Sequence, residues 1–412
     1  MLKDFLKLSK DLKIRIGVNF LGLILSAIIL PNMTIYNVQH FGLAVTGVLV
    51  GINAVITFAV GLYGGHYADI WGRRVTMLVG SVAVFGGYAL IAIVNSPGLN
   101  LPWGTFAGFV IVSAGAAFHR PAEEAAMIDV SKREQRGFIY KMIYWLINVG
   151  LVIGSALGAW FFRDHFFGLS VATTAVAALS TAVIYIFIKE SLSLRRRSTN
   201  TTGVWQVFRT YGAVVKDRKY LVFAAASIAN TVIFMQLDTY YPAHLIESFH
   251  NTTIFGIEMY AQRMLSAALI INTAFIVLFM GAINRLTRRL SPNATIISGI
   301  LVQGFSFSLS YLLHDFWPLA ITAVILTVGE IMCVASTQVL RADLMASSGR
   351  VGAYSGFLAA MMPVAVIICG FMVSSSSTIG NVGVAIVLAF NTMFCAFAYI
   401  KSRKMLEKEQ DK

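Results

Sequence analysis

The sequence predicts an all-α integral membrane protein: twelve transmembrane helices in two six-helix halves, with both termini cytoplasmic. Three observations carry this. The chain is 57% hydrophobic and only 12% charged over 412 residues, with a mean hydropathy of +0.74. So few polar residues cannot cover a water-facing surface, and the apolar ones must face lipid. The cations are sorted by side along the chain, and the two halves repeat one another.

A spanning helix needs about 20 apolar residues. Runs of that length lie at 14–38, 43–66, 75–95, 103–128, 138–163 and 167–189, and again at 220–245, 255–283, 292–313, 317–341, 352–374 and 380–401. Between the two sets Ser191 to Lys219 is polar and basic, with Arg195-Arg196-Arg197, and is the one composition shift long enough to link two domains. The chain thus divides into an N-terminal half (1–190), a cytoplasmic basic linker (191–219) and a C-terminal half (220–412) with a short cytoplasmic tail. Met1 to Lys13 sets four lysines among Leu2, Phe5, Leu6 and Leu12. With no small-residue cleavage site ahead of the first span, this reads as a helix lying on the cytoplasmic membrane surface.

Of the 32 Lys and Arg residues, 29 fall in segments that become cytoplasmic when the N-terminus is inside. Outside there is only Arg163, and away from the cytoplasmic ends of the spans only Arg120 and Arg263. Retention of cations on the cytoplasmic face fixes this orientation. The net charge of +13 is therefore topogenic, and no nucleic-acid partner is expected. Cys333, Cys369 and Cys395 all fall inside apolar runs, which points to neither a disulfide nor a metal site, and no cofactor is expected. H-E-x-x-H and G-x-S-x-G are absent and the seven histidines do not cluster, so no enzyme is indicated. The phosphate loop G-x-x-x-x-G-K-[ST] is absent too, so the energy source should be an ion gradient.

The repeat is visible in spacing. Asp129 lies seven residues before Arg136 just after the fourth span, and Asp343 lies seven before Arg350 just after the tenth, an offset of 214 shared by Gly115 and Gly329. Asn284, Arg288 and Arg289 echo Asp69, Arg73 and Arg74 at an offset of 215. Two like-oriented six-span halves form a parallel repeat, with a binding site expected near the midplane.

Between the second and third spans, Gly65, Asp69, Gly72, Arg73 and Arg74 fit G-x-x-x-D-[RK]-x-G-[RK]-[RK], with Ile70 where a cation is usual. This resembles the loop 2–3 signature of the major facilitator superfamily. Gly65 is expected to let two helices approach, Asp69 to end a helix at the membrane surface, and Gly72 to turn the chain. Asp69 capping the N-terminal end of the eleventh span, around Gly352 to Ser355, and Arg73 pairing with Asp129 would form a cytoplasmic gate, to which Gly65, Gly72, Arg74, Arg136, Asp343 and Arg350 also belong. Asp69-Ile70-Trp71-Gly72-Arg73, Met235-Gln236-Leu237-Asp238, Gln262-Arg263-Met264-Leu265, Gly329-Glu330-Ile331 and Arg341-Ala342-Asp343-Leu344-Met345 also resemble the LmrP-type proton-driven multidrug exporters of lactic-acid bacteria. That resemblance implies proton coupling and recognition of cationic drugs at Asp238 and Glu330. Ile143 stands where an aspartate is expected in that family, which puts the same proton stoichiometry in doubt.

Ionisable residues inside spans cost roughly 2.5–3.5 kcal/mol each on insertion scales and are functional candidates by default. Here they are Arg120, Glu123, Glu124, Asp238, Arg263 and Glu330. Glu330 lies 13 residues in from Trp317, near the midplane, and Ala116 holds its place in the first half. A lone carboxyl that breaks the repeat points to function. Asp238 and Arg263 share a depth, so a salt bridge is allowed and could be purely structural. Arg120 and Glu124 are four apart and could pair, although Pro121 can kink the helix. Gly150, Gly154 and Gly158 fit close helix packing and the glycine element of antiporters equally well.

The expected activity is proton-coupled efflux of small amphipathic, cationic substrates by a monomer in the cell membrane, its partners being those substrates, protons and lipids. Tyr240, Tyr241 and Trp145 are the candidate aromatic walls. Two rivals stand: a proton-coupled carrier of one metabolite or lipid on the same fold, and a non-transporting sensor, which has no need of Glu330.

Overall fold

The computed structural model describes residue 5 and residues 8–131, 133–191, 214–287, 289–347 and 351–410. The chain is built almost entirely of helices: α1 (Lys10–Ile70), α2 (Arg73–Val94), α3 (Pro102–Val130), α4 (Arg133–Phe161), α5 (Phe166–Phe187), α6 (Arg218–Phe234), α7 (Tyr240–Ser248), α8 (Ala261–Thr287), α9 (Pro292–Ser310), α10 (Phe316–Ser347) and α11 (Val351–Gln410). A hairpin of β1 (Thr252–Ile254) and β2 (Ile257–Met259) precedes α8, with Thr253 opposite Glu258. Its turn puts Phe255 and Gly256 at φ 51° and 79°. Seven helical stretches among the described residues are long and apolar enough to cross a membrane.

At the breaks between spans that the sequence predicts near 39–42 and 375–379, the helix is interrupted. Single glycines break it, Gly42 at φ 75°, ψ 170° and Gly380 at φ 64°, ψ −178°. These backbone positions are nearly closed to residues with a Cβ. One glycine thus serves as the turn between two helical arms, without a polar loop. Ser9 caps α1 through the Leu12 amide at 3.3 Å. Leu8, Leu12 and Ile16, spaced four apart on one helix face, are buried against Met127, Ile139, Met142 and Leu146. From Leu8 onward the described part of this segment therefore packs on α3 and α4.

The chain forms two compact units. Unit 1 comprises Met1–Met33 and Ile52–Thr201, and unit 2 comprises Thr34–Gly51 and Thr202–Lys412. In unit 1, a Cβ on Gly115 of α3 would lie 2.8 Å from the Gly80 carbonyl of α2, and one on Gly80 would lie 2.6 Å from Cβ of His119. In unit 2, a Cβ on Gly329 of α10 would lie 2.6 Å from the Gly299 carbonyl of α9, and one on Gly299 would lie 2.8 Å from Cβ of Cys333. The same crossing, with backbones in contact, is thus built twice at the 214-residue offset. Gly154 and Gly158 of α4 pack on α1, where added Cβ atoms would lie 2.5 Å from Ala27 Cβ and from Asn32 Nδ2 respectively. That is the helix-packing role of small residues.

Within unit 2, Thr34–Gly51 of α1 joins the C-terminal helices. Thr34 Oγ1 donates to the Asp238 carbonyl at 2.9 Å, and Ser374 Oγ donates to the Ala44 carbonyl at 2.9 Å. Gly47 and Gly370 let the two backbones meet there.

Candidate functional site

In unit 2, Glu330 projects from α10 toward α8 and is half-buried. Asn272 of α8 donates through Nδ2 to Glu330 Oε2 at 2.8 Å and to Thr327 Oγ1 at 3.0 Å, while Thr327 donates to the Ala323 carbonyl at 2.6 Å. The carboxyl is thus oriented by one neutral amide, and among the described residues no cation pairs with it. Neither Asn272 nor Thr327 stands out in the sequence, because neutral amides and hydroxyls are common in spans.

Asp238 ends a 3₁₀ turn at Met235–Leu237 and is exposed. The sequence allows an ion pair with Arg263, but the guanidinium turns elsewhere: Nη1 donates to the Glu258 carbonyl at 2.6 Å and Cζ sits 4.6 Å from the Tyr260 ring centroid. The hairpin, which apolar periodicity does not reveal, supplies that carbonyl. It sits immediately before α8, within reach of the helix's first turn.

In unit 1, Arg120 Nε lies 3.1 Å from Glu124 Oε1, and both side chains are mainly exposed, at 78% and 66%. A charged pair so exposed is stable against water and costly against lipid. Glu123 points the other way and is only 7% exposed. Its Oε2 lies 3.2 Å from Nε2 of His119, whose Nδ1 lies 3.2 Å from the Met77 carbonyl on α2. Consecutive glutamates thus meet opposite environments, as their 100° separation on a helix requires. The sequence reading passes over His119, although its spacing of four from Glu123 is legible.

At the junction of α1 and α2, Gly72 adopts φ 99°, ψ 163°, as the expected turn requires. Arg73 Nη1 donates to Asp69 Oδ1 at 2.6 Å and its Nε to Asp129 Oδ2 at 3.4 Å, so one guanidinium joins the ends of α1 and α3. Arg74 Nη2 donates to the Tyr185 carbonyl at 2.6 Å. Glu190 completes the cluster by accepting from the backbone amides of Arg73 and Arg74 at 3.0 and 3.1 Å, which caps α2. The close approach expected at Gly65 is at Gly64. A Cβ there would run into the Phe118 backbone, 2.7 Å from its Cα, whereas one on Gly65 would meet Pro121 Cβ at 3.8 Å, an ordinary contact. Arg350 lies outside the described residues, and Arg136 and Asp343 are described only as positions on α4 and α10.

Of the proposed aromatic walls, only Trp145 is open, at 48% exposure. It lines a cavity of about 390 Å³ with Phe5, Ile16, Gly17, Phe20, Met142 and Leu146. Tyr240 and Tyr241 are each 1% exposed and belong to the core of unit 2, which corrects their assignment as walls. Tyr240 packs edge-on against Tyr311 and donates its hydroxyl to Asn381 Oδ1 at 2.7 Å, while Tyr241 packs edge-on against Phe307. Three histidines do come together in space. The His314 ring centroid is 5.9 Å from that of His244 and 5.5 Å from that of His250, and His250 Nδ1 lies 3.0 Å from Asp315 Oδ1. Their separation in sequence hides the grouping.

The Major Facilitator Superfamily profile matches residues 16–368. The chain is 26% identical over 356 residues to a Na(+), Li(+), K(+)/H(+) antiporter of Planococcus maritimus, covering 83% of this chain and 84% of that protein. It is 22% identical over 342 residues to the multidrug resistance protein MdtH of Salmonella choleraesuis, covering 82% and 79%. Among solved structures it resembles a POT family transporter in complex with a thioalcohol-conjugated peptide (TM-score 0.74, 14% identity, 96% of each chain covered) and the POT family transporter PepTSo (TM-score 0.73, 14% identity, 98% and 99% covered). The relatives are transporters and not enzymes, and the shared fold agrees with the doubled helix crossing. This chain is an integral membrane protein of transporter type and belongs to the Major Facilitator Superfamily.

Proposed function

We propose that the chain is a proton-coupled exporter that exchanges small amphipathic cations for protons across a bacterial cell membrane. In this reading it is a monomer of twelve spans, with both ends cytoplasmic. The observation that carries it is Glu330: a carboxyl within a span, oriented by the Asn272 amide and with no cation paired to it among the described residues. Such a group can carry either a proton or the countercharge of a cation, and the two compete for it. A substrate entering from the cytoplasm or inner leaflet displaces the proton. When the substrate leaves on the outside, the carboxyl is reprotonated and the neutral site returns. The resemblance to LmrP-type exporters and the similarity to MdtH support a drug-like cation. The aqueous face implied by Arg120 and Glu124, and the apolar cavity beside Trp145, also fit an amphipathic substrate.

A second reading, exchange of inorganic monovalent cations for protons, is favoured by the similarity to the Planococcus maritimus antiporter. Inside-out vesicles separate the two. Uptake of a fluorescent organic cation that collapses with the proton gradient supports the first. Proton efflux driven by added Na⁺ or K⁺, without organic uptake, supports the second. Neither flux would contradict both.

A further inference from the structure

Unit 1 holds a buried acid–base pair that the exchange at Glu330 does not use. His119 Nδ1 faces the Met77 carbonyl at 3.2 Å, so this nitrogen carries a hydrogen and donates it. Nε2 of the neutral ring is then a bare acceptor, yet it lies 3.2 Å from Glu123 Oε2. Two acceptors at that distance repel unless a proton sits between them. The pair therefore holds one proton, as imidazolium and carboxylate or as imidazole and carboxylic acid. Losing that proton leaves two lone pairs in opposition and must drive the side chains apart.

Glu123 Oε1 and Asn19 Oδ1 are both buried without a partner of their own, while the side-chain amide of Asn19 on α1 donates toward the Glu123 carboxylate. On α3 itself the charged neighbours are Arg120 and Glu124, which pair with each other. From α2 the Met77 carbonyl faces the ring. Arg15 of α1, 1% exposed, reaches the Met77 sulfur through Nη1 at 3.9 Å and is held by Asp11 at 2.9 Å and by the Lys189 carbonyl at 2.8 Å.

The internal repeat separates this pair from Glu330. At the 214-residue offset His119 corresponds to Cys333 and Glu123 to Thr337. The correspondence is spatial as well, because Gly80 meets His119 and Gly299 meets Cys333 at the equivalent crossing. Glu330 in turn corresponds to Ala116. On the same helix of its repeat each unit thus turns one carboxyl into protein, Glu123 on α3 and Glu330 on α10, where the counterpart in the other unit is not a carboxyl. The two differ by seven residues in register, about 10 Å along a helix.

We infer that His119 and Glu123 form a second proton-exchange site, working beside Glu330, so that two protons enter for each monovalent cation expelled. The inference rests on the antiport reading. The balance is explicit: one positive charge leaves, two enter, and each cycle moves one net positive charge inward. Such exchange responds to membrane potential, whereas one-for-one exchange of a monovalent cation does not.

The test uses the full chain reconstituted in proteoliposomes, with tetraphenylphosphonium as the probe. A potassium potential set with valinomycin is varied against a fixed pH gradient until net flux stops, which gives the proton-to-cation ratio. The wild type should give two. Glu123→Gln and His119→Gln should each transport with a ratio of one and lose their response to potential, while Glu123→Asp keeps a ratio of two. A wild-type ratio of one, or an unchanged ratio of two in Glu123→Gln, overturns the second site. Should neither glutamine variant reconstitute, the wild-type ratio alone decides: two supports the site and one removes it. Absence of any gradient-driven transport by the wild type would instead remove the antiport reading beneath it.

Discussion

Glu190 offers a sharp test of how the cytoplasmic end of α2 is held. Its two carboxylate oxygens accept from the first two amides of that helix, Arg73 and Arg74, at 3.0 and 3.1 Å. Those amides have no partner within the helix. Loss of a capping acceptor costs about 0.5–2 kcal/mol, and loss of a negative charge at a helix N-terminus about 0.3–1 kcal/mol. Glu190 is exposed, so the lower part of each range applies, and Glu190→Ala should weaken the first turn of α2 by about 1–2 kcal/mol. That corresponds to a roughly 5- to 30-fold change in a local opening equilibrium. Hydrogen exchange followed by mass spectrometry, on peptides covering Arg73 to Met77, reads that opening directly. Protection should fall by that factor in Glu190→Ala and by less in Glu190→Gln, which keeps one acceptor oxygen, while α9 peptides stay unchanged. Protection altered by less than twofold in Glu190→Ala would refute the cap as a source of stability.

Other substitutions separate neighbouring explanations. Gly64→Leu should abolish the folded yield, because its side chain would enter the Phe118 backbone, whereas Gly65→Ala should be recovered at wild-type yield by gel filtration in detergent. A cytosol-dependent reporter should be active when fused after Lys412 and inactive near Asn251; equal activity at both sites would sink the topology. Trp145→Ala should weaken binding of an aromatic cation by roughly 2- to 30-fold, from about 0.5–2 kcal/mol of ring–cation attraction. Tyr241→Phe, in the core and with a hydroxyl that lacks a partner, should leave that affinity unchanged in a fluorescence titration.

What the sequence made legible was whatever depends on spacing. The 214-residue offset linking Gly115 to Gly329 is borne out as a repeated crossing against Gly80 and Gly299. The Arg120–Glu124 pair and the Arg73–Asp129 contact form as the chain pattern suggests. What stayed hidden depends on neighbours remote in sequence. Asn272 is 58 residues from the carboxyl it orients, and Glu190 is 117 residues from the first amide it caps. Tyr240 and Tyr241 read as pocket walls because an aromatic in a span has the same pattern whether it faces a cavity or a core. The breaks near Gly42 and Gly380 were legible as gaps between spans, but not that one residue makes each turn, because a single positive φ needs no polar loop around it. Gly64 and Gly65 differ by one position, and only the identity of the facing atoms decides which of them is at the crossing.

The central claim is that a proton and a cation compete for Glu330. The direct measurement is uphill transport of a monovalent fluorescent cation by Glu330→Gln, in inside-out vesicles with an imposed proton gradient, alongside proton release by the solubilised protein on adding the same cation. Glutamine keeps the size of the side chain and an acceptor for Asn272 but can neither carry the exchanged proton nor balance the cation's charge. The account predicts that uphill transport and proton release are both lost, while neutral compounds still bind. Transport by Glu330→Gln against the gradient at the wild-type rate would contradict it, and would return Glu330 to a structural partner of Asn272.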